Sequence, residues 1–343
     1  PTVPIILDIS EDMGASLDYA SLNEELANLR RALYFDLGVP FPGINIRPNP
    51  GLPELSYVLN VNEIPMSRGK LEKGMVLARD TSENLSMLGV EFKLGERFLP
   101  DVEPLWVPES KAASLERVGI SIMNHARILA YHLSLLLARH ASSFLGMQES
   151  KYLLDKMEER APDLVREATR LLPTQRIAEI FQRLVQEQIS IRDLRSILEA
   201  LIEWSPKEKD TVMLTEYVRS ALKRQISYMY SKGQNMLPAI LLDPSVEETI
   251  RKAIRQTSAG AFLALDPDTT QRFLRAVTES AGKYTANTQK PVLMASMDIR
   301  RYVRRLIEGR ALRPARCFVP RGHARDFDPA RQQDQVVERI GLG

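Results

Sequence analysis

The chain has 343 residues, 44% hydrophobic and 26% charged, which is typical of a globular protein with about two to four compact units. The net charge is +2, but residues 310–343 hold seven arginines against four acidic residues, so the remaining chain is nearly neutral and lacks the basic footprint of a nucleic-acid binder. The single cysteine, Cys317, excludes a disulfide framework and favours a reducing compartment.

The first 70 residues predict a small α/β unit. Residues 3–9 are typical of a short strand, and 22–38 form an amphipathic helical pattern that ends at a glycine. Alternating apolar residues at 44–47 and 55–61 flank a Pro/Gly-rich turn and predict a hairpin. This order of elements indicates a sheet with one face covered by the helix.

Residues 70–110 change character, with scattered Gly and Pro and no long helical period. Short β-like pieces at 75–78, 90–94 and 104–107 predict a small, mostly β insertion. A helical pattern returns over 111–140, with a break between Ile122 and Ile128.

The segment 149–228 predicts helices almost throughout. Within it, one helix near 176–186 carries an apolar stripe at i, i+3, i+4, i+7 and i+8. Ser190 and Asp193 have the spacing of a capping box, which predicts that a second helix starts there.

A final α/β unit begins near residue 226. Asp243-Pro244 and Asp266-Pro267 each predict a helix start, because Asp caps a helix and Pro fits its first turn. Residues 291–296 predict a short buried strand, and a helix follows it. The whole chain is therefore predicted to be a multidomain α+β or α/β protein.

We expect neither an enzyme nor a metal or cofactor site. No phosphate-binding glycine motif occurs. His125 and His132 share a predicted helix but lie roughly 10 Å apart along it, too far to share a metal. Cys317 and His323 lie in the Arg-rich tail, where no shielded pocket is predicted for a nucleophile and its base.

No membrane span is expected within this sequence either. The longest apolar run, 128–138, is interrupted by polar side chains and falls short of the ~20 residues that a membrane helix needs. Residues 1–9 lack the basic start of a signal peptide.

Two groups of residues are candidates for contacts with partners. Arginines at i, i+1, i+4 and i+5 form a basic edge on the last helix, suited to an interdomain or intersubunit salt-bridge strip or, alternatively, to phosphate. Large apolar residues in the β insertion either pack in its core or line a groove. The cleft candidates are Phe98, Leu99, Trp106, Tyr131, Arg300, Arg301 and Arg304.

Several motifs together resemble the type III secretion export-gate family, also called the FHIPEP family. They are IRDLRSILEALIEW (191–204), PVLMASMDIRRYVRRLIE (291–308), LLDKME (153–158) and the opening strand and helix. The resemblance extends to about residue 308, and the DIRRYVRRLIE ending is closer to injectisome members than to flagellar ones.

The resemblance implies the C-terminal domain of an inner-membrane protein, at the cytoplasmic face, whose membrane-spanning half precedes residue 1. It implies four subdomains, the second a small β-rich insertion and the third all-helical. Their predicted bounds are 1–69 with 118–144, 70–117, 145–225 and 226–309.

The resemblance also implies a ring of nine copies that takes part in ordering export. Expected partners are chaperone–substrate complexes, a gatekeeper protein, the ATPase stalk and, through the membrane half, other export-apparatus membrane proteins, but no nucleic acid. The ring interface lies in 145–225, where Arg192, Asp193, Arg195 and Glu199 are candidates.

Two departures from the family pattern stand out. The flagellar chaperone-binding Asp/Phe/Thr constellation falls near Arg97 and Pro100 and on Tyr131, so that contact does not carry over. The tail 310–343 replaces the usual final strand with an Arg/Ala/Pro/Gln-rich sequence. We expect it to be disordered or of out-of-frame or cloning origin, which leaves the last sheet one strand short.

A helix-turn-helix DNA-binding regulator is the alternative interpretation, with 191–203 as its recognition helix. That helix mixes Arg192 and Arg195 with Asp193, Glu199 and Glu203, and acidic side chains are unfavourable beside phosphates.

Overall fold

The computed structural model describes residues 1–100, 102–232, 234, 237–282 and 291–308, together with the backbone of 336–340. The chain folds into two compact units, 1–194 and 195–343. Both units mix helices with sheets, which confirms the predicted fold class. Among the described helices, none combines the length and the apolar composition that a membrane crossing requires.

The first sheet of unit 1 is built around a fully buried strand, β1. The sheet order is β2-β1-β3-β4, with β2 parallel to β1 and the other neighbours antiparallel. A short helix and a long one, α1 and α2, connect β1 to β2. The elements are β1 Ile5–Ile9, α1 Glu11–Ser16, α2 Tyr19–Leu37, β2 Asn45–Pro48, β3 Ser56–Val61 and β4 Ile64–Lys70.

The predicted hairpin between 44–47 and 55–61 is wrong, because β1 lies between β2 and β3. All five β1 residues are buried, and a central strand needs a neighbour on each side. The hairpin in this sheet joins β3 to β4 through Asn62 and Glu63, whose φ angles of 50° and 66° give a turn that matches strand twist. Strand β4 was not predicted, since its side chains are mostly exposed and include Pro65.

Helix α2 begins and ends with the residues that the sequence indicates. The Asp18 carboxylate accepts hydrogen bonds from the backbone N–H of Ala20 and Ser21. Gly38 ends the helix with a φ of 79° and donates its N–H to Tyr34 O at 2.8 Å. The buried stripe consists of Leu22, Leu26, Leu29, Leu33 and Leu37.

A second sheet forms the β insertion, in the order β6-β7-β5-β8, with antiparallel pairing throughout. Two short helices, α3 and α4, contribute Leu85 and Leu115 to its core. Its elements are β5 Met75–Arg79, α3 Ser82–Met87, β6 Lys93–Leu94, β7 Leu105–Pro108, α4 Ala112–Arg117 and β8 Ser121–Met123.

The helical pattern predicted over 111–140, with a break after Ile122, forms two helices separated by a strand. After α4, Gly119 has a φ of 88°, and the chain forms β8 before α5 (His125–Arg139) begins. Strand β8 pairs with β5. The second sheet therefore takes a strand from 118–144, which was predicted to belong to the first subdomain.

Three helices complete unit 1: α6 (Met147–Glu158), α7 (Pro162–Leu171) and α8 (Thr174–Gln186). The predicted stripe on α8 is buried throughout. The capping box at Ser190 is wrong, because the next helix starts only at Leu194. Instead, Ser190 Oγ accepts the N–H of Arg192, and Ile191 donates its N–H to Leu37 O at 2.9 Å, so this segment covers the end of α2.

Unit 2 contains three helices followed by an α/β layer. Helices α9 to α11 are Leu194–Trp204, Thr211–Ala221 and Lys223–Ser231. The sheet has the parallel order β12-β9-β13. Its elements are β9 Ala239–Leu242, α12 Pro244–Lys252, β10 Ile254–Thr257, β11 Gly260–Leu263, α13 Pro267–Gly282, β12 Val292–Met294, α14 Arg300–Glu308 and β13 Val336–Ile340.

Apolar clusters lie on both faces of this sheet. Ile240 and Leu293 pack with α12, α13 and α14 on one face, while Ala239 and Val292 pack near Tyr230 of α11 on the other. Such coverage of both faces is characteristic of a parallel sheet.

Both predicted Asp-Pro helix starts occur, with Pro244 and Pro267 as first helical residues. The Asp266 carboxylate accepts the Thr269 N–H at 2.8 Å, whereas the Asp243 side chain makes no cap bond. The hairpin of β10 and β11 was not predicted.

The expectation that the last sheet is one strand short is wrong. Strand β13, from the tail, pairs with β9 along the edge that β12 leaves open. This pairing is favourable because β9 has a buried apolar sequence and a second edge that β12 does not use. The rest of the tail prediction lies outside the described residues.

Residues 145–225 contain helices and no strand, although the boundary between the compact units falls inside them at 194. The division into four subdomains stays a prediction.

We predict that Gly38→Ala destabilises unit 1 by about 2–4 kcal/mol, since a Cβ there lies 3.0 Å from both Arg192 Cγ and Ile191 Cγ1 and φ is left-handed. Gly74→Ala is the matched control, because its φ of 68° is similar and the space beside it is open; it should cost only about 1–2 kcal/mol. Urea unfolding measures both, and equal losses would contradict the close packing at Gly38.

Candidate partner-binding surface

The structure separates the apolar cleft candidates. Leu99 and Trp106 are each 1% exposed. Leu99 is a core residue outside the cleft, which corrects its assignment to a partner surface, whereas the Trp106 ring is buried beneath the cleft. Phe98 is half-buried and stacks on Trp106 with ring centroids 6.3 Å apart. Of the three, Phe98 is the residue that reaches the surface.

Phe98 lines a cleft of about 900 Å³ in unit 1. One wall is the run 65–70 of β4, and the other is the run 93–98, which contains β6 and the loop after it. Tyr57 and Trp106 also line the cleft, so aromatic rings from β3 and β7 support it from below.

A buried histidine ties the β4 wall to helix α5. Tyr57 Oη lies 2.7 Å from His132 Nδ1, and Ser67 Oγ lies 2.8 Å from His132 Nε2. Burial lowers the pKa of His132 to about 4 and raises the pKa of Tyr57. Near neutral pH both groups are therefore uncharged, and they fix β4 through hydrogen bonds alone.

The cleft carries more basic than acidic groups. Arg68, Lys70, Lys93 and Arg97 line it, against Glu72 and Glu96. Lys93 Nζ and Glu72 Oε2 form an ion pair of 3.0 Å, so this pair contributes little net field. The remaining imbalance favours a negatively charged ligand.

Tyr131 does not line this cleft. It is half-buried, and the guanidinium carbon of Arg79 lies 5.0 Å from its ring centroid. The arginine therefore covers part of the Tyr131 ring.

Arg300 is not a surface residue, which corrects its assignment to the partner cleft. It is 1% exposed and donates two hydrogen bonds to the carboxylate of Glu216 on α10, at 2.8 and 2.6 Å. Arg219 Nε lies 3.9 Å from the same carboxylate and is equally buried. The pair joins α14 to α10 within unit 2.

The other arginines of α14 have separate environments. The Arg301 guanidinium lies 4.5 Å from the ring centroid of Tyr302, and Arg304 forms a 2.6 Å ion pair with Glu308. Arg305 is exposed. The four arginines therefore do not form one continuous basic edge.

The ring-interface candidates lie at the surface, and their role stays a prediction. Arg192 is exposed, and its guanidinium carbon lies 4.8 Å from the ring centroid of Phe35 on α2. Asp193 is also exposed. Arg195 and Glu199 form a 3.8 Å ion pair and both side chains are more than half exposed. This pairing gives the helix-turn-helix alternative no support.

No cluster of potential metal ligands occurs among the residues that the structure describes. His125 Nε2 donates to the backbone oxygen of Glu72 at 3.0 Å. Cys317 and His323 lie outside those residues.

Sequence reasoning missed most of the cleft. The wall residues Arg68, Gly69 and Lys70 belong to a strand that was not predicted, and their alternation of basic residues around a glycine is the signal that was available. Tyr57 and His132 are brought together across 75 positions, which no local pattern indicates.

The FHIPEP family model matches residues 1–314. The chain belongs to the FHIPEP family. Membership of the type III secretion export-gate family, inferred from the sequence motifs, is confirmed. A family member, the low calcium response locus protein D of Yersinia pestis, is 48% identical over 307 residues, which cover 90% of this chain and 44% of the relative. The chain thus spans less than half the length of the curated relatives it matches.

Solved FHIPEP structures share the fold. CdsV of Chlamydia pneumoniae gives a TM-score of 0.86 at 38% identity, covering 99% of this chain and 98% of CdsV. The CdsV chain in a complex with CdsO gives 0.85 at 41% identity, covering 93% and 94%. Nonameric EPEC SctV-C gives 0.77 at 27% identity, covering 100% and 98%.

We predict that His132 makes the unfolding free energy of unit 1 depend on pH. The unfolded chain binds a proton at His132 below pH 6.5, whereas the folded chain binds it only near pH 4. Stability is therefore full above pH 6.5 and falls by up to about 3 kcal/mol as the pH drops toward 4.

Urea unfolding of wild type and His132→Gln at several pH values tests this. The wild-type free energy should fall more steeply between pH 6.5 and 4 than that of the variant. Parallel curves would show that His132 is not held neutral by the fold.

Proposed function

We propose that this chain is a non-enzymatic docking domain of a type III secretion export gate and acts as a homo-nonameric ring at the cytoplasmic face of the inner membrane. The observation that carries the proposal is the agreement of fold, over the whole chain, with a relative solved as a nonamer. A second nonameric relative, the EscV cytosolic domain, supports the same assembly.

The ring holds chaperone–substrate complexes, a gatekeeper protein and the ATPase stalk, and so helps to order export. That CdsV forms a complex with CdsO supports the capacity of this fold to bind a second protein. Within unit 1, the cleft of about 900 Å³ supplies a surface with charged and aromatic groups.

Ring geometry adds a physical advantage to weak binding. Cyclic symmetry repeats each cleft around the ring. A cargo released from one cleft then meets the next at a high effective concentration, so modest affinity at each site gives strong retention overall. A docking ring can in this way hold cargo while each single contact remains easy to break.

We predict that the chain forms closed particles of nine copies when it is concentrated on nickel-lipid vesicles through an N-terminal His tag. Surface tethering raises the local concentration and favours assembly. Electron microscopy of the vesicle surface gives the symmetry directly. Closed rings of another stoichiometry, or a lattice without rings, would overturn the proposed architecture.

Glu199→Arg tests the ring interface in the same assay. Replacing the acid beside Arg195 leaves two like charges on the exposed face of α9, so the ring fraction should fall at least about fivefold. Lys111→Glu, an equal reversal at an exposed residue far along the chain from 145–225, should assemble like wild type. Equal ring fractions for both variants would remove Glu199 from the interface.

A further inference from the structure

The cleft of unit 1 lies between two sheet ends. Strand β4 is the last strand of the first sheet, and β6 is the end strand of the second. An end strand has unpaired backbone N–H and C=O groups along its outer side. Both runs that line the cleft, 65–70 and 93–98, include these strands.

The sheet order identifies the β4 wall as a strand edge. Strand β4 pairs with β3 on one side and with no described strand on the other. In the run 93–98, Lys93 and Leu94 pair with β7, and Gly95 donates its N–H to Pro104 O at 2.9 Å. The backbone groups available to an entering chain are therefore the outer groups of β4 and those groups of 93–98 that face away from β7.

Each wall contains a glycine whose backbone lies directly against an aromatic ring. A Cβ at Gly69 would lie 2.4 Å from Tyr57 Oη, and a Cβ at Gly95 would lie 2.6 Å from Trp106 Nε1. Each ring occupies the space that a side chain would take, so the walls present backbone above an aromatic floor. Glycine is required at both positions because the rings of Tyr57 and Trp106 lie directly against the strand backbone.

The charge of the walls selects the occupant. Arg68, Lys70 and Arg97 form no ion pair with any described acidic residue, whereas Lys93 is paired with Glu72. Among the described residues these three cations outnumber the one remaining acid of the cleft, Glu96, so the open strand edge attracts an acidic chain and repels a second copy of itself.

We propose that the cleft binds an extended, acidic segment of a partner protein by strand addition to β4, with further backbone contacts to 93–97. The inference rests on the proposed docking function and specifies its ligand chemistry. Six residues of wall correspond to about 20 Å of extended chain. Backbone hydrogen bonds supply affinity, while carboxylates beside Arg68, Lys70 and Arg97 supply selectivity.

The probe is a fluorescent peptide of about nine residues that alternates Thr and Glu, which suits an extended conformation. Its binding to the full 343-residue chain is followed by fluorescence anisotropy, and backbone amide exchange is measured by mass spectrometry. We expect saturable binding together with slower exchange in 66–70 and at 94, 96 and 97, because strand addition engages edge amides.

A methylated peptide separates strand addition from simple charge attraction. Methylating every backbone nitrogen of the same peptide keeps its charge but removes its hydrogen-bond donors, so binding should be lost. Equal binding of both peptides, or binding without protection of 66–70, overturns the inference, as does no binding of the unmodified peptide at millimolar concentration.

Two charge reversals give the matched comparison on the protein. Arg68→Glu should weaken peptide binding about tenfold, whereas Lys151→Glu, at an exposed residue of α6, should leave it within about twofold. Similar losses in the two variants would overturn the role of the cleft. Ring formation on vesicles is scored in the same preparations, so failure of this inference is distinguished from failure of the docking ring.

Discussion

Backbone hydrogen bonding determines which strand edges of unit 1 are paired and which remain open to another chain. Strands β1 and β5 pair on both sides and form the centres of their sheets. Of the four end strands, β2, β6 and β8 have only two to four residues, and β2 ends at Pro48. Short strands and proline protect an edge from pairing with other chains. Strand β4 has seven residues, so it is the one long edge among the described strands of this unit.

The support beneath β4 explains why this edge keeps its shape. His132 accepts or donates at both ring nitrogens, to a tyrosine on β3 and a serine on β4. Because the imidazole is buried, the fold favours its neutral form. A rigid edge loses little entropy when a strand is added, and preorganisation of this kind increases affinity without new contacts.

Local chemistry was predictable from the sequence, and long-range pairing was not. The stripes of α2 and α8, the Gly38 terminus and the Pro244 and Pro267 helix starts all depend on residues within about one or two helical turns. The incorrect predictions share one cause, which is pairing between residues that lie far apart in the sequence. The insertion of β1 between β2 and β3, the pairing of β8 with β5 and the burial of Arg300 against Glu216 depend on residues from 39 to 84 positions away. The same limit hid the cleft, whose walls come from two separate sheets.

The IRD motif that indicated the family has a structural role within unit 1. Ile191 is buried and donates its backbone N–H to the end of α2, while Arg192 lies over Phe35 and against Gly38.

The buried trio of Glu216, Arg219 and Arg300 limits which substitutions can be accepted at these three positions. A charge left alone in such a site is costly, whereas exchange of the whole group for apolar residues is tolerated. Drift at these positions should accordingly proceed by concerted replacement, and relatives should hold either the complete trio or none of it.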